Sequence, residues 1–396
     1  MGKLQLFEIT FDQSQAVFLA GSVVKGAVKL ELRDTLKMRG VRISCFGRAH
    51  VHWSEVENVG HRGGRQRVEA VEHTAEEEYF QFRFELWPDE QASDDANNSL
   101  GAGQYSFPFE FQLPSDLPPS FEGAFGHIRY WIKATIDEPW KFDNHTKRAF
   151  TVIPNMDINQ QPGIATPIEY RGELRTGCCC LPSGKYKGSL STTRKGFVPG
   201  SEIGLSCEIE NLTGSTCWAE ITLKMHITYQ AEGKFKQEKK VISSLCKEQI
   251  PRGKNYVWKD RMQVPPLPPS HLKGCKLIDC KYILQFCGGS DARCSWDEID
   301  FEDEIFIGNL PLANRGAAKG STNAGRHGSI VAGMPDAGAV ITAEGNPSYE
   351  ECALFSKVSI KDKDDTEHTV GELVFAPLYA FYSSKPAKQR RLSNTH

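Results

Sequence analysis

The stretch 113–139, LPSDLPPSFEGAFGHIRYWIKATIDEP, narrows the possible folds more than any other part of the chain. Its proline-rich opening excludes helix, because prolines lack a backbone donor and restrict the residue before them. Its second half alternates, with Tyr130, Ile132, Ala134 and Ile136 on one side and Lys133, Thr135 and Asp137 on the other. Period two marks a half-buried β-strand. Just upstream, Tyr105, Phe107, Phe109, Phe111 and Leu113 alternate with Ser106, Glu110 and Gln112. Two such strands joined by a structured corner need a facing sheet to cover their apolar side.

The same grammar fills residues 1–156, through Phe7-Ile9-Phe11, Val28-Leu30-Leu32, Val41-Ile43-Cys45, Phe80-Phe82-Phe84-Leu86 and Phe150-Val152, with no helical period. This predicts an N-terminal β-sandwich. Within it, residues 54–78 are polar and charge-mixed, and read as an irregular insertion or a poorly ordered hairpin. Residues 157–183 read as a linker, interrupted by Pro162, Pro167 and Pro182 and carrying Cys178-Cys179-Cys180. The pattern then returns over 184–312. Ile221, Leu223, Met225, Ile227 and Tyr229 share one parity, and a second proline corner (Pro265–Ser270) leads through Gly274 into Ile278, Cys280, Tyr282, Leu284 and Phe286. Proline corner, glycine, even-numbered apolar strand: the order repeats, so the expected fold is all-β, two tandem immunoglobulin-like antiparallel sandwiches. Residues 313–396 are Gly/Ala/Ser/Asn-rich with a charged run, and read as a disordered tail. Two apolar islands interrupt it, Tyr349–Phe355 and Val374–Tyr382; they read either as docking peptides or as segments that pack back on the second sandwich.

The residues exclude most chemistry. A net charge of −3 gives no electrostatic reason for nucleic-acid binding. MGKLQLFEITF has no long apolar run and nothing reaches the ~18 apolar residues of a membrane span, so no signal peptide or bilayer crossing is expected. The twelve cysteines are therefore expected as free thiols in a reducing compartment. A phosphate-binding Gly loop, an H-E-x-x-H and a G-x-S-x-G are all missing. His50 and His52 share a strand face but lack further ligands, and Cys178–Cys180 lacks zinc spacing. The acidic run Asp297–Glu304 lacks the indexing of a calcium loop. No catalytic residue, cofactor or metal is expected, and the chain reads as a non-enzyme. Cys178, Cys179 and Cys180 remain candidates for lipidation, against a partly buried linker lying on a domain. Ser393, in Arg390-Arg391-Leu392-Ser393, has the setting of a basic-directed phosphorylation site. Two functions stay open: an adaptor working through sheet faces and tail peptides, or a ligand-carrying or structural β-protein with a cleft between its domains.

Five collinear pieces carry a family resemblance: LQLFEITF (Leu4–Phe11), PPSFEGAFGHIRYWIKA (Pro118–Ala134), RKGFVPG (Arg194–Gly200), LKGCKLIDCKY (Leu272–Tyr282) and IFIGNLPL (Ile305–Leu312). The chain resembles the arrestin-domain-containing proteins of the alpha-arrestin group. The resemblance implies two arrestin-type sandwiches and a cytoplasmic adaptor, peripherally associated with the plasma membrane and endosomes. It would link membrane-protein cargo, receptors or transporters, to WW-domain HECT-type ubiquitin ligases and endocytic sorting. The family offers Pro-Pro-x-Tyr peptides to those WW domains. This chain has Asn346-Pro347-Ser348-Tyr349 and Ala376-Pro377-Leu378-Tyr379, which keep the Pro-x-Tyr core and lose the leading proline. Pro347, Tyr349, Pro377 and Tyr379 are thus the expected WW-binding residues. The thioredoxin-binding member of the group carries a reactive cysteine where this chain has Tyr256, ahead of Trp258, so no thioredoxin partner is expected.

Overall fold

The computed structural model describes residues 3–62, 65–88, 99–176, 184–291, 298–311, 347–362 and 365–383. In the first sandwich one sheet joins Leu4–Phe11, Val23–Leu32 and Gly103–Gln112. The facing sheet runs Val17–Leu19, Asn144–Ile153, Gly126–Asp137, Gly40–Arg62 and Arg65–Trp87. The second sandwich sets Glu169–Thr176, Gly184–Thr192, Glu202–Leu212 and Lys254–Gln263 against Gly196–Phe197, Glu298–Ile307, Ile278–Ser290, Cys217–Ala231 and Lys234–Ile250. Pairing among these strands is antiparallel, apart from short parallel contacts where Val17–Leu19 and Gly196–Phe197 lie beside Asn144–Ile153 and Glu298–Ile307; a tail strand described below adds a further parallel pair. The alternating residues do what their period demands: Ile132, Ile136, Phe109, Leu223, Ile227, Tyr282 and Leu284 are buried. Phe107 is half-buried, as are the inward-parity residues Gly103 and Tyr105 before it in the strand.

The proline corners repeat at atomic level. Tyr130 donates its hydroxyl to the Pro118 carbonyl at 2.7 Å, and Tyr282 does the same to Pro268 at 2.6 Å. Ser120 Oγ accepts the Val152 N–H, and Ser270 Oγ accepts the Ile307 N–H, each at 2.9 Å. Pro-Pro-Ser thus fastens the last strand of each sandwich to its corner. A proline carbonyl has no ladder partner there, and a buried tyrosine hydroxyl needs an acceptor, so each satisfies the other.

Three segments differ from their sequence reading. Residues 54–62 and 65–78, read as an irregular insertion or a poorly ordered hairpin, lie in two long paired strands, Gly40–Arg62 with Arg65–Trp87. Backbone pairing carries this hairpin past the core, so no apolar alternation was needed to form it. Glu169–Thr176, read as linker, is an edge strand of the second sandwich, and Tyr170 of that strand stacks on Phe301 at 4.2 Å. The third is the tail. Its described part is ordered: Ser348–Glu351 pairs with Leu378–Phe381, Val358–Ser359 with Val374–Phe375, and Thr369–Glu372 joins the first sandwich in parallel with Asn144–Ile153. Both apolar islands are docked rather than free, and the body they meet is mainly the first sandwich, with contacts to the second.

The two sandwiches meet through specific pairs. Tyr229 packs edge-on against Phe125 at 5.6 Å and donates to Glu238, which also accepts the Ala124 N–H. A Cβ on Gly123 would collide with the Tyr229 hydroxyl, so only glycine permits this approach. Lys236 pairs with Glu55 at 3.0 Å from across the junction.

Candidate functional site

A buried charge cluster lies where the tail crosses the first sandwich. Its centre is Lys147, whose side chain is 2% exposed. A lysine seldom tolerates such burial unless its charge is matched. Lys147 Nζ donates to the Ile360 carbonyl at 2.7 Å, to Asp362 at 2.6 Å and to Asp365 at 3.1 Å, all from the tail. It also sits over the Trp131 ring at 5.1 Å. Asp365 is itself 1% exposed and reaches Lys133 at 3.4 Å. Burial pushes the Asp365 carboxyl up, but the Asp362 N–H and the Lys147 ammonium outweigh it and hold the group below the usual carboxylate range. Beside this cluster, Arg129 grips the buried Glu122 through two hydrogen bonds, at 2.6 and 2.8 Å, and reaches the Ser359 carbonyl. Burial raises the Glu122 carboxyl while Arg129 opposes the rise.

The tail strand Leu378–Phe381 seats on the first proline corner. Tyr379 donates to the Ser120 carbonyl at 3.3 Å, and the Leu378 N–H donates to Thr151 Oγ1 at 3.1 Å. Tyr382 continues to the second sandwich, with its N–H on the Pro199 carbonyl at 3.0 Å and its hydroxyl on the Asn309 carbonyl at 2.7 Å. Gly200, at φ +91°, leaves room for the Tyr382 backbone that a side chain would fill. Phe355 meets Phe121 edge-on at 5.4 Å and lies under Lys240. The segment therefore ties both sandwiches together.

Of the residues expected to meet a WW domain, Pro377 and Tyr379 are buried, while Pro347 and Tyr349 are half-buried. The two Pro-x-Tyr peptides face each other: Tyr349 pairs with Ala380, and Glu350 with Tyr379. They are strands in a pair, not free docking peptides. Cys178, Cys179, Cys180 and Ser393 lie outside the described residues. His50 and His52 do stack on one face, 6.4 Å apart, but among the described residues no group of three or more His, Cys, Asp or Glu could hold a metal ion. Sequence reasoning missed Lys147, Ser120 and Thr151. The charged run 361–367 was visible, but nothing in the alternation of the Asn144–Ile153 strand marks Lys147 as buried, because a distant segment covers it.

The N-terminal domain of the arrestin (or S-antigen) family matches residues 7–159, and its C-terminal domain matches residues 182–312. Arrestin domain-containing protein 17 of Caenorhabditis elegans is 30% identical over 296 residues, covering 72% of this chain and 67% of its own length. The chain belongs to the arrestin-domain-containing proteins. Arrestin domain-containing protein 4 of Mus musculus is 30% identical over 290 residues, 72% of this chain and 67% of its own length. Arrestin domain-containing protein 1 of Rattus norvegicus is 30% identical over 314 residues, 79% and 66%. The chain spans about two thirds of these relatives' length. In this arrestin-domain protein the matched regions are the two sandwiches, and the docked tail segment lies beyond them. Among the described residues no helix is long and apolar enough to cross a membrane.

Proposed function

We propose that this arrestin-domain protein is a non-enzymatic cytoplasmic adaptor that links membrane-protein cargo to WW-domain HECT-type ubiquitin ligases and endocytic sorting at the plasma membrane and endosomes. The observation that carries the reading is that both Pro-x-Tyr peptides sit in one tail segment fastened to two arrestin-type sandwiches. In the docked state Tyr379 is 4% exposed and spends its hydroxyl on Ser120. A WW domain grips an extended single strand between aromatic rings, so recruitment requires the strand pair to open. Once open, two weak peptides on one tether gain from effective concentration. Lipid on Cys178, Cys179 or Cys180 would add membrane affinity beside the sandwich junction, and phosphate on Ser393 would offset the basic end of the tail; both belong to the same proposal. The carrier alternative calls for a cleft between sandwiches. Two surface cavities, of about 400 and about 650 Å³, are each lined by the second sandwich alone.

The test is a pull-down from cells with wild type, the Tyr349→Ala, Tyr379→Ala double variant and Lys147→Met, probed for WW-domain ligases and for membrane proteins. Lys147→Met should raise ligase recovery and the double variant should lose it. Equal ligase recovery from all three would remove the tail from the mechanism.

A further inference from the structure

The loop between Gly126–Asp137 and Asn144–Ile153 exposes two aromatic rings, Trp140 fully and Phe142 with one face against His368. Trp140 is 102% exposed and Phe142 79% exposed. Pro139 and Trp140 form the turn, and Trp140 stands at φ +61°. That left-handed conformation is normally given to glycine or asparagine, because a Cβ clashes there. Folding alone would place a small residue at this point, yet the chain puts its largest there, facing water.

The charges around the rings are sorted by direction. The loop's carboxylates turn inward. Glu138, 7% exposed, accepts from Asn144 at 2.6 Å and from Lys141 at 3.2 Å. Asp137, 20% exposed, is held by Arg39 and Arg42, and Asp143 lies 3.5 Å from Arg42. The cations turn outward, with the Lys141 side chain 64% and Arg39 61% exposed. On the tail side His368 stacks on Phe142 at 5.9 Å, and the exposed Glu367 pairs with that histidine. The most exposed side chains of the loop itself are therefore two aromatic rings and a lysine, flanked by Arg39, with an exposed carboxylate, Glu367, set on the tail side.

We propose that this loop is a lipid-interface anchor, with Trp140 and Phe142 entering the headgroup region of an anionic phospholipid bilayer and Lys141 and Arg39 meeting its phosphates. Tryptophan favours that depth because its ring is amphipathic, and flanking cations add attraction to anionic lipid. Two exposed rings on one loop suit a bilayer, whereas a partner protein would have to supply a pocket for them. The inference rests on the reading that the protein works at a membrane, and it names the surface that would touch it.

Co-sedimentation of the full-length protein with vesicles of phosphatidylcholine plus phosphatidylserine, and of phosphatidylcholine alone, tests it. Wild type should bind the mixed vesicles more tightly. Trp140→Gly with Phe142→Ser should weaken that binding at least about tenfold. The same variant should melt no lower than wild type, since glycine relieves the turn, so loss of binding cannot be loss of fold. Brominated lipid should quench part of the wild-type tryptophan emission, and the quenched part should vanish in Trp140→Phe. Two outcomes overturn the anchor: equal vesicle binding by wild type and the double variant, or no wild-type binding to either vesicle. Cargo recovery in the pull-down above reads the adaptor proposal separately. Cargo retained alongside either outcome would sink the loop and leave the adaptor standing.

Discussion

Pro118-Pro119-Ser120 and Pro268-Pro269-Ser270 carry the same internal bonds, from Tyr130 and Val152 in one case and from Tyr282 and Ile307 in the other. Their outer sides differ. At the first corner the Ser120 carbonyl accepts the hydroxyl of Tyr379, 259 residues away in the sequence. At the second, the residue after the serine, His271, stands at φ +63° and faces Asp279 at 3.4 Å and Glu304 at 3.0 Å, with its side chain 41% exposed. One corner is finished by a segment from the far end of the chain, the other by near neighbours in water. The corner itself is thus intrinsic to the sandwich, and what closes it is a separate choice.

The largest break in that comparison should come from Lys147→Met. Removing one member of a buried ion pair typically costs about 3–5 kcal/mol, because the remaining charge is stranded. Asp365 would be that charge, and the tail can escape the cost by leaving. The variant should therefore be cut by protease within 347–383 far faster than wild type, while the sandwiches unfold at nearly the wild-type denaturant midpoint. Unchanged cleavage would mean that the ion cluster does not hold the segment. Substituting His271, a partly exposed group, should produce no comparable release.

Next come the tyrosines. Tyr130→Phe and Tyr282→Phe each leave a buried proline carbonyl unpaired, which costs about 1–3 kcal/mol. Urea titrations should give similar losses for the two, since their acceptors are equivalent. Tyr379→Phe should cost less, about 0.5–1.5 kcal/mol, and only in tail docking. A loss at one of the two inner tyrosines but not the other would break the internal repeat.

The smallest effect is electrostatic and belongs to the second corner. Hydrogen bonding to Asp279 raises the His271 pKa above its ordinary 6.5, and the neighbouring acids add to the rise while burial opposes it. A raised histidine contributes stability that is fully present below pH 6.5 and is lost as pH climbs through the folded-state value. Asp279 is depressed by the same bond, so its share disappears as pH falls below 3.8 toward its folded value. Solvent screening keeps the total under about 1 kcal/mol. Wild type should lose slightly more melting temperature than His271→Gln between pH 6 and 8. Equal slopes would take His271 out of the corner's energetics.

Period two was enough to read both sandwiches, because residues such as Ile132 and Tyr282 bury one face and leave the other wet. It could not find Glu169–Thr176, an edge strand with little to bury, or the outer half of the long hairpin, where backbone bonds act without a core. The candidate site was less legible for a different reason. Tyr349 and Tyr379 were singled out as peptides from local spelling, but the tail that carries them is fastened to the first sandwich by Lys147, Ser120 and Thr151. Those residues lie some 200 or more positions away and look like ordinary strand residues, Lys147 and Thr151, or an ordinary corner serine, Ser120. Acidic residues in a low-complexity tail read as solvated until a buried cation is seen to need them.

Hydrogen exchange of the amides in 376–383 tests most directly whether the tail closes the first corner. The Leu378 and Tyr382 N–H groups are bonded to Thr151 and Pro199. In the wild-type full chain they should exchange at least about 100-fold more slowly than in a free peptide, an opening free energy near 3 kcal/mol. Lys147→Met should abolish that protection while leaving the Ile132 and Leu284 amides slow. Exchange of Leu378 and Tyr382 at free-peptide rates in the wild-type chain would contradict the docked tail outright.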